Sequence, residues 1–134
     1  MGLDCNENGN ASPFRHRSLR IWQDALALDL AVRGFVRSFP PEERFALTAQ
    51  LMRCADSVPS NIAEGSARHT VADFIHFLYV ARGSLAELDT QLTIADRLGH
   101  LSYTHQMQGD VADLGRSISA FIRHLRDTAS AVAR

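Results

Sequence analysis

The sequence holds few groupings of side chains that could carry out chemistry. Asp73 and His76 are the only carboxylate-x-x-His pair, which is the spacing that di-metal sites in four-helix bundles use. Such a site needs a second pair and two further carboxylates, so we expect His76 to be a solvated or interface residue. Neither cysteine neighbours a histidine, Ser84 has no identifiable base, and there is no glycine-rich phosphate loop. The sequence therefore predicts a protein that is not an enzyme and holds no metal or other cofactor.

A larger group of polar side chains recurs at helical spacing on two segments. Around residues 50–64 the intervals are 3, 4, 4 and 3, and around residues 84–91 polar side chains interrupt an apolar heptad line. If the two segments pair as a hairpin, Arg53 comes level with Glu87, which predicts an ion pair, and Gly83 would permit a close approach. The group consists of Gln50, Arg53, Ser57, Asn61, Glu64, Ser84, Glu87 and Gln91.

Two interpretations of this polar group stay open. In the first, it is a structural network that fixes the register between helices. In the second, Arg53, Asn61, Glu64 and Glu87 line a site for a ligand or partner. Replacing Glu87 with Gln would lower folding stability in the first case, whereas unchanged melting with lost partner binding would favour the second.

The basic residues suggest a different kind of partner. All 14 are arginines, and the net charge of -1 gives no overall attraction to nucleic acid or membranes. Three of the arginines share one face of the fourth amphipathic segment of the chain, and three more precede the apolar residues of the first segment. Such a stripe could contact phosphates. Because aspartates lie among the former, a merely solvated face is the alternative. These arginines are Arg15, Arg17, Arg20, Arg116, Arg123 and Arg126.

Four amphipathic segments must position these groups. Apolar residues recur at intervals of three and four, and Pro59 predicts a kink in the second segment. Short links favour antiparallel neighbours, so the predicted fold class is all-α, an antiparallel up-down-up-down four-helix bundle. A three-helix core with the last helix exchanged between subunits is the alternative. The predicted helices span about residues 18–38, 42–64, 71–98 and 103–132.

The rest of the chain sets its organisation and location. Residues 1–17 mix Asn, Gly, Ser and Pro13 without periodicity, which predicts a flexible tail before a single domain at residues 18–134. No segment approaches the roughly 20 apolar residues of a membrane span, and the polar N-terminus does not resemble a secretory signal. We expect a cytoplasmic protein. Cys54 falls on an apolar stripe and Cys5 in the tail, so no disulfide is expected.

The predicted helices also carry more apolar side chains than one small core can bury. The extra ones flank the main stripes of the first and third helices. Wide exposed apolar surface usually marks an interface, so we expect a homo-oligomer. The predicted interface residues are Trp22, Leu26, Leu30, Ile75 and Tyr79.

Several short motifs stand in a fixed order between residues 18 and 125. They are Trp22-Gln23 with Ala25, Phe39-Pro40 with Glu43, Ser57-Val58-Pro59-Ser60-Asn61-Ile62-Ala63-Glu64-Gly65, and Ala81-Arg82-Gly83-Ser84 with Glu87. In these motifs the chain resembles the bacterial four-helix-bundle proteins associated with intervening sequences of 23S ribosomal RNA genes. The resemblance implies a ring-like homopentamer of helical bundles. The chain is also similar to accessory proteins of diversity-generating retroelements, strongly basic bundles that bind a reverse transcriptase and nucleic acid.

Residues and resemblance together predict a non-enzymatic homo-oligomer. Its partner would be RNA or a ribonucleoprotein, bound through repeated arginine-bearing helix surfaces. The alternative is a protein-interaction scaffold that binds a polypeptide and no nucleic acid.

Overall fold

The computed structural model describes residues 13–132, which form four helices and no strand. The prediction of an all-α fold with four helices is confirmed. The helices are α1 (Arg20–Val36), α2 (Leu47–Ser66), α3 (Val71–Arg97) and α4 (His105–Val132). Two short 3₁₀ turns, Arg15–Ser18 and Pro41–Glu43, precede α1 and α2.

Apolar side chains from all four helices meet in one core. Burying a large aliphatic side chain contributes about 1.5–3 kcal/mol, so these contacts dominate the stability of the bundle. Pro59 is buried inside α2, which continues past it to Ser66. The kink at Pro59 stays a prediction. The largest fully buried side chains are Leu51, Ile62, Leu78, Leu88, Leu92, Ile118, Val32 and Val58.

Residues later in α2 contact residues earlier in α3. Ser57 Oγ lies 2.7 Å from Ser84 Oγ, and one end of α2 approaches the start of α3 at Gly65. A Cβ atom at Gly65 would come within 2.8 Å of Phe77 Cβ, so only glycine permits this approach. The complete up-down-up-down order stays a prediction.

The predicted start of the second helix at residue 42 is wrong. Pro41–Glu43 forms a separate 3₁₀ turn, and Ala46 has φ -110° and ψ -96°, outside the helical region. Helix α2 therefore begins only at Leu47. Glu43 instead points towards the turn between α3 and α4, where its Oε1 lies 3.6 Å from His100 Nε2.

The boundary of the predicted flexible tail also changes. Residues 1–12 lie outside the described residues, but Arg15–Ser18 forms a 3₁₀ turn that packs against α1. The side-chain amide of Gln23 donates to the Arg17 carbonyl at 2.8 Å, and the Trp22 ring lies 4.9 Å from that of His16. Leu19 is extended, so α1 starts at Arg20, two residues later than predicted.

Candidate functional site

The core of the predicted polar group is a hydrogen-bonded link between α2 and α3. Ser57 Oγ lies 2.7 Å from Ser84 Oγ between the two helices. Ser57, Ser84 and the third member of the link, Asn61, are all half-buried. Asn61 Nδ2 donates to Ser57 Oγ at 2.9 Å and to the Ser57 carbonyl at 2.7 Å. Each such bond contributes about 0.5–1.5 kcal/mol. The arrangement fits the interpretation in which the network fixes helix register.

The predicted ion pair between Arg53 and Glu87 does not form. Arg53 instead donates to Gln50 Oε1 on its own helix at 3.1 Å, and Glu87 Oε2 lies 3.5 Å from Cys54 Sγ. Both charged side chains are exposed, so water solvates their charges and neither needs an ionic partner. The expectation for Gly83 is also wrong, because a Cβ atom there would have no neighbour within 4 Å.

The other members of the polar group do not converge on a site. Glu64 is exposed and pairs with Arg68 one turn later, at 2.7 Å. Gln91 is half-buried, and its side chain makes no hydrogen bond within residues 13–132. The four residues of the alternative ligand site therefore point to separate partners or to solvent.

A groove of about 460 Å³ lies instead between α1 and α4. Its floor is apolar and its rim carries one arginine and three aspartates. Arg20 on this rim is paired with Asp24 at 3.1 Å, so the groove offers no free cation to an anionic ligand. The lining residues are Arg20, Asp24, Ala27, Leu28, Ala31, Phe35, Met107, Asp110, Asp113, Leu114 and Ser117.

The outer face of α3 and α4 carries a cluster that sequence reasoning found only in part. Tyr79 and Arg82 lie one turn apart on α3, and the Arg82 guanidinium carbon is 4.7 Å from the centroid of the Tyr79 ring. From α4, Arg126 Nη2 donates to the Tyr79 hydroxyl at 2.8 Å, and Ser119 Oγ accepts from Arg82 at 3.2 Å. We name Tyr79, Arg82, Ser119 and Arg126 the tyrosine–arginine cluster. The sequence signal for Arg82 was its i, i+3 spacing from Tyr79.

The other predicted phosphate-contacting arginines have diverse environments. Arg116 is paired with Asp113, and Arg20 with Asp24, which offsets their charges locally. Arg123 is exposed and has no ion pair within the described part of the chain. In the 3₁₀ turn, Arg15 lies 5.8 Å from the Phe74 ring and Arg17 lies 5.9 Å from that of Trp22.

These contacts bring basic segments together at one end of the bundle. The Phe74 ring, which Arg15 covers, is 5.6 Å from that of Phe121 on α4, and Gly65 at the end of α2 packs against Phe74. The segments that these contacts join, residues 15–24, 64–82 and 119–127, hold more arginines than carboxylates, whereas the remainder of residues 13–132 holds more carboxylates than arginines. The near-neutral chain is therefore polarised. The arginines are Arg15, Arg17, Arg20, Arg68, Arg82, Arg123 and Arg126, and the carboxylates are Asp24, Glu64, Asp73 and Asp127.

A buried carboxyl on α1 is a second feature that periodicity did not predict. Asp29 is 8% exposed, and its Oδ1 has no hydrogen bond within residues 13–132 and lies 3.7 Å from Arg33 Nε. Arg33 Nη2 donates to Asp56 Oδ1 on α2 at 2.6 Å. Burial, and then the adjacent Asp56 carboxyl, raise the pKa of Asp29 to about 6. The bond between Arg33 and Asp56 joins α1 to α2.

The predicted oligomer-interface residues fall into two groups. Trp22 and Ile75 are half-buried against the core of their own chain, and Leu26 is half-buried. Leu30 and Tyr79 are exposed, at 60% and 39%. Further exposed apolar residues that the prediction did not include are Phe45, Val80, Ile94 and Leu98.

Other classes of site receive little support from the geometry. Among residues 13–132, no three or more His, Cys, Asp or Glu side chains come together as metal ligands would. His76 is exposed beside the ring of Phe77. Cys54 is a buried free thiol, and Cys5 lies outside the described residues. None of the described helices has the length and apolar character needed to cross a bilayer.

Known proteins share both the fold of this chain and the sequence pattern of most of it. The fold is similar to that of a protein of unknown function from the S23 ribosomal protein family of Bacteroides thetaiotaomicron. The TM-score is 0.60 and the sequence identity 19%, with 76% of this chain and 94% of that chain covered. Residues 17–120 match the family described as 23S rRNA-intervening sequence protein, and the chain belongs to this family. No curated protein matches the chain.

Proposed function

We propose that this chain is a non-enzymatic, cytoplasmic homo-oligomer that binds RNA, alone or within a ribonucleoprotein. The observation that carries the proposal is the gathering of arginines at one end of a nearly neutral bundle. A local excess of cationic side chains attracts phosphates even when the whole protein has no net positive charge. The family description, which names an RNA, is consistent with this partner.

Exposed apolar side chains support the oligomeric part of the proposal. Val80, Ile94 and Leu98 lie on one heptad line of α3, and Leu30 is exposed on α1. Exposed apolar side chains that recur along a helix face often mark a surface that a partner covers. A ring of identical subunits would cover it and would repeat the arginine-rich end around the assembly, which increases its attraction for a polyanion. By resemblance to the family, we propose five subunits.

The absence of converging reactive groups supports a non-enzymatic role. Ser57, Asn61 and Ser84 bond to each other, and the groove between α1 and α4 has an apolar floor. Asp29, the carboxyl in the described residues whose pKa is raised to about 6, lies against α2 and not in that groove. A binding role requires none of these groups to react.

Two measurements test the proposal. Light scattering of the purified full chain is expected to give the mass of a pentamer, and a monomer would contradict the oligomeric part. RNA affinity is expected to fall steeply with salt, because each neutralised phosphate of a single strand contributes about 0.7 to the slope of log K against log salt. No binding to RNA at low ionic strength would refute the nucleic-acid part.

The apolar line on α3 favours a second candidate, a scaffold that binds a polypeptide. An amphipathic helix could lie along Val80, Ile94 and Leu98 if these residues were not used between subunits. Purification after nuclease treatment separates the two candidates. A protein that stays bound after RNA has been digested, together with no affinity for purified RNA, would favour the scaffold.

A further inference from the structure

The arginines of the tyrosine–arginine cluster are among those that make no ion pair with a carboxylate in the described part of the chain. Arg20, Arg33, Arg68 and Arg116 each have a carboxylate within 4.0 Å. Neither Arg82 nor Arg126 has one within the described part of the chain, and each bonds to a neutral hydroxyl. A guanidinium has five N–H donors, so most donors of both side chains remain free for a ligand.

The cluster also presents flat groups to solvent. Tyr79 keeps 39% of its surface exposed, and the Arg82 guanidinium lies 4.7 Å from the centre of its ring. The hydrogen bond from Arg126 fixes the position of the phenol oxygen, so the ring is held between two cations. Aromatic rings and guanidinium planes are the surfaces on which unpaired bases stack.

We propose that the tyrosine–arginine cluster is a binding site for single-stranded nucleic acid. A base stacks on the layer formed by Tyr79 and Arg82, and the adjoining phosphates pair with Arg126 and Arg123. The site depends on the proposed RNA-binding function and specifies where and in which form RNA is held. Bases in a duplex are already stacked on each other, so a duplex uses only the phosphate contacts and binds more weakly.

The arrangement on α4 continues the site along a strand. Ser119, Arg123 and Arg126 are spaced by four and three residues, which places them on one face of the helix. Arg123 is exposed and unpaired within the described residues, so its guanidinium is available beside the cluster. Asp127 projects about 100° away from Arg126 but only about 40° from Arg123, which lies one turn before it. Its carboxylate therefore weakens the attraction of a phosphate to Arg123 more than to Arg126, and Arg126 is the main phosphate contact.

The experiment measures binding of a fluorescein-labelled oligouridine to the full chain by fluorescence anisotropy across a salt series. Tyr79→Ala is expected to raise the Kd about tenfold, because one stacked base contributes about 1–3 kcal/mol. Tyr79→Phe keeps the ring and should stay within a factor of about two to three of the unmodified protein. Arg126→Gln is expected to reduce the salt slope by about 0.7. Arg97→Gln, an exposed arginine at the far end of α3, is the matched control and should change neither quantity.

The outcomes separate the site from the general function. If the unmodified chain binds no oligouridine, the RNA-binding function and this site fail together. If it binds, but Tyr79→Ala and Arg126→Gln behave like Arg97→Gln, only the site is refuted. A changed oligomeric mass for Tyr79→Ala, with the mass of Arg126→Gln and Arg97→Gln unchanged, would also refute it, because Tyr79 would then belong to a subunit interface. A duplex of the same length that competes as well as the single strand would refute the stacking.

Discussion

Replacing Asp29 with Asn should stabilise the protein at neutral and alkaline pH but not in acid. Asp29 is buried on the inner side of α1, where ionisation places a charge near Asp56 and away from water. Arg33, at 3.7 Å, is too distant for a good hydrogen bond to this carboxyl, and its Nη2 already donates to Asp56. An asparagine has nearly the same shape and carries no charge, so it avoids the cost of burying an ionised group.

The raised pKa determines both the sign and the magnitude of the effect. Below pH 3.8 the carboxyl is protonated in the folded and unfolded chains and contributes no penalty. Between pH 3.8 and about 6 the unfolded chain loses its proton first, so stability falls as the pH rises. Above about pH 6 the loss is complete and corresponds to about 3 kcal/mol. Asp29→Asn should recover most of that free energy at pH 8 and little at pH 4.

The assay is urea denaturation at several pH values, with the variant and the unmodified protein at the same concentration because oligomerisation affects apparent stability. Asp24→Asn, on the same helix and nearer to solvent, is the control and should change the free energy of unfolding much less than Asp29→Asn does at pH 8. Equal destabilisation by Asp29→Asn at every pH would refute the reasoning. Such a result would mean that folding does not shift the pKa of Asp29, and a destabilisation that grows with pH would mean that the ionised carboxyl gains more from Arg33 than burial costs it.

Other substitutions test the contacts between helices. Gly65→Ala should lower the free energy of unfolding by about 1–3 kcal/mol, because its Cβ would meet Phe77 Cβ at 2.8 Å. Gly83→Ala is the matched control and should raise it by about 0.5–1 kcal/mol, since nothing lies within 4 Å of its Cβ. Tyr103→Phe should lower it by about 1 kcal/mol by removing the 2.8 Å hydrogen bond from the buried Tyr103 to Asp89 Oδ1. All three are measured by urea denaturation, and a stabilising Gly65→Ala or a destabilising Gly83→Ala would contradict the packing described.

The helices themselves could be predicted from the sequence because helix formation depends on local information. Backbone hydrogen bonds join residues four apart, so apolar side chains at intervals of three and four indicate both a helix and its inner face. The cap of α3 is equally local, since Thr70 Oγ1 accepts from the backbone N–H of Asp73, three residues later, at 3.1 Å. Helical spacing placed Ser57 and Ser84 in one polar group, but only the structure shows the 2.7 Å contact between them.

The partners of the exposed charged side chains could not be predicted in this way. Arg53 and Glu87 were expected to pair because their backbone positions are level, yet each bonds to another residue. Long side chains at the surface have many rotamers, and water competes for every hydrogen bond they make. A correct register therefore leaves such pairs undetermined.

The sequence by itself determined that four amphipathic helices form, where most of them end and to which family the chain is similar. Only the tertiary structure decided how each helix is rotated about its axis. A modest rotation of α1 buries Asp29 and leaves Leu28 half-buried. The structure also brings Arg126 to Tyr79, 47 residues away in sequence. Such contacts depend on how whole helices pack, and no local periodicity encodes that packing.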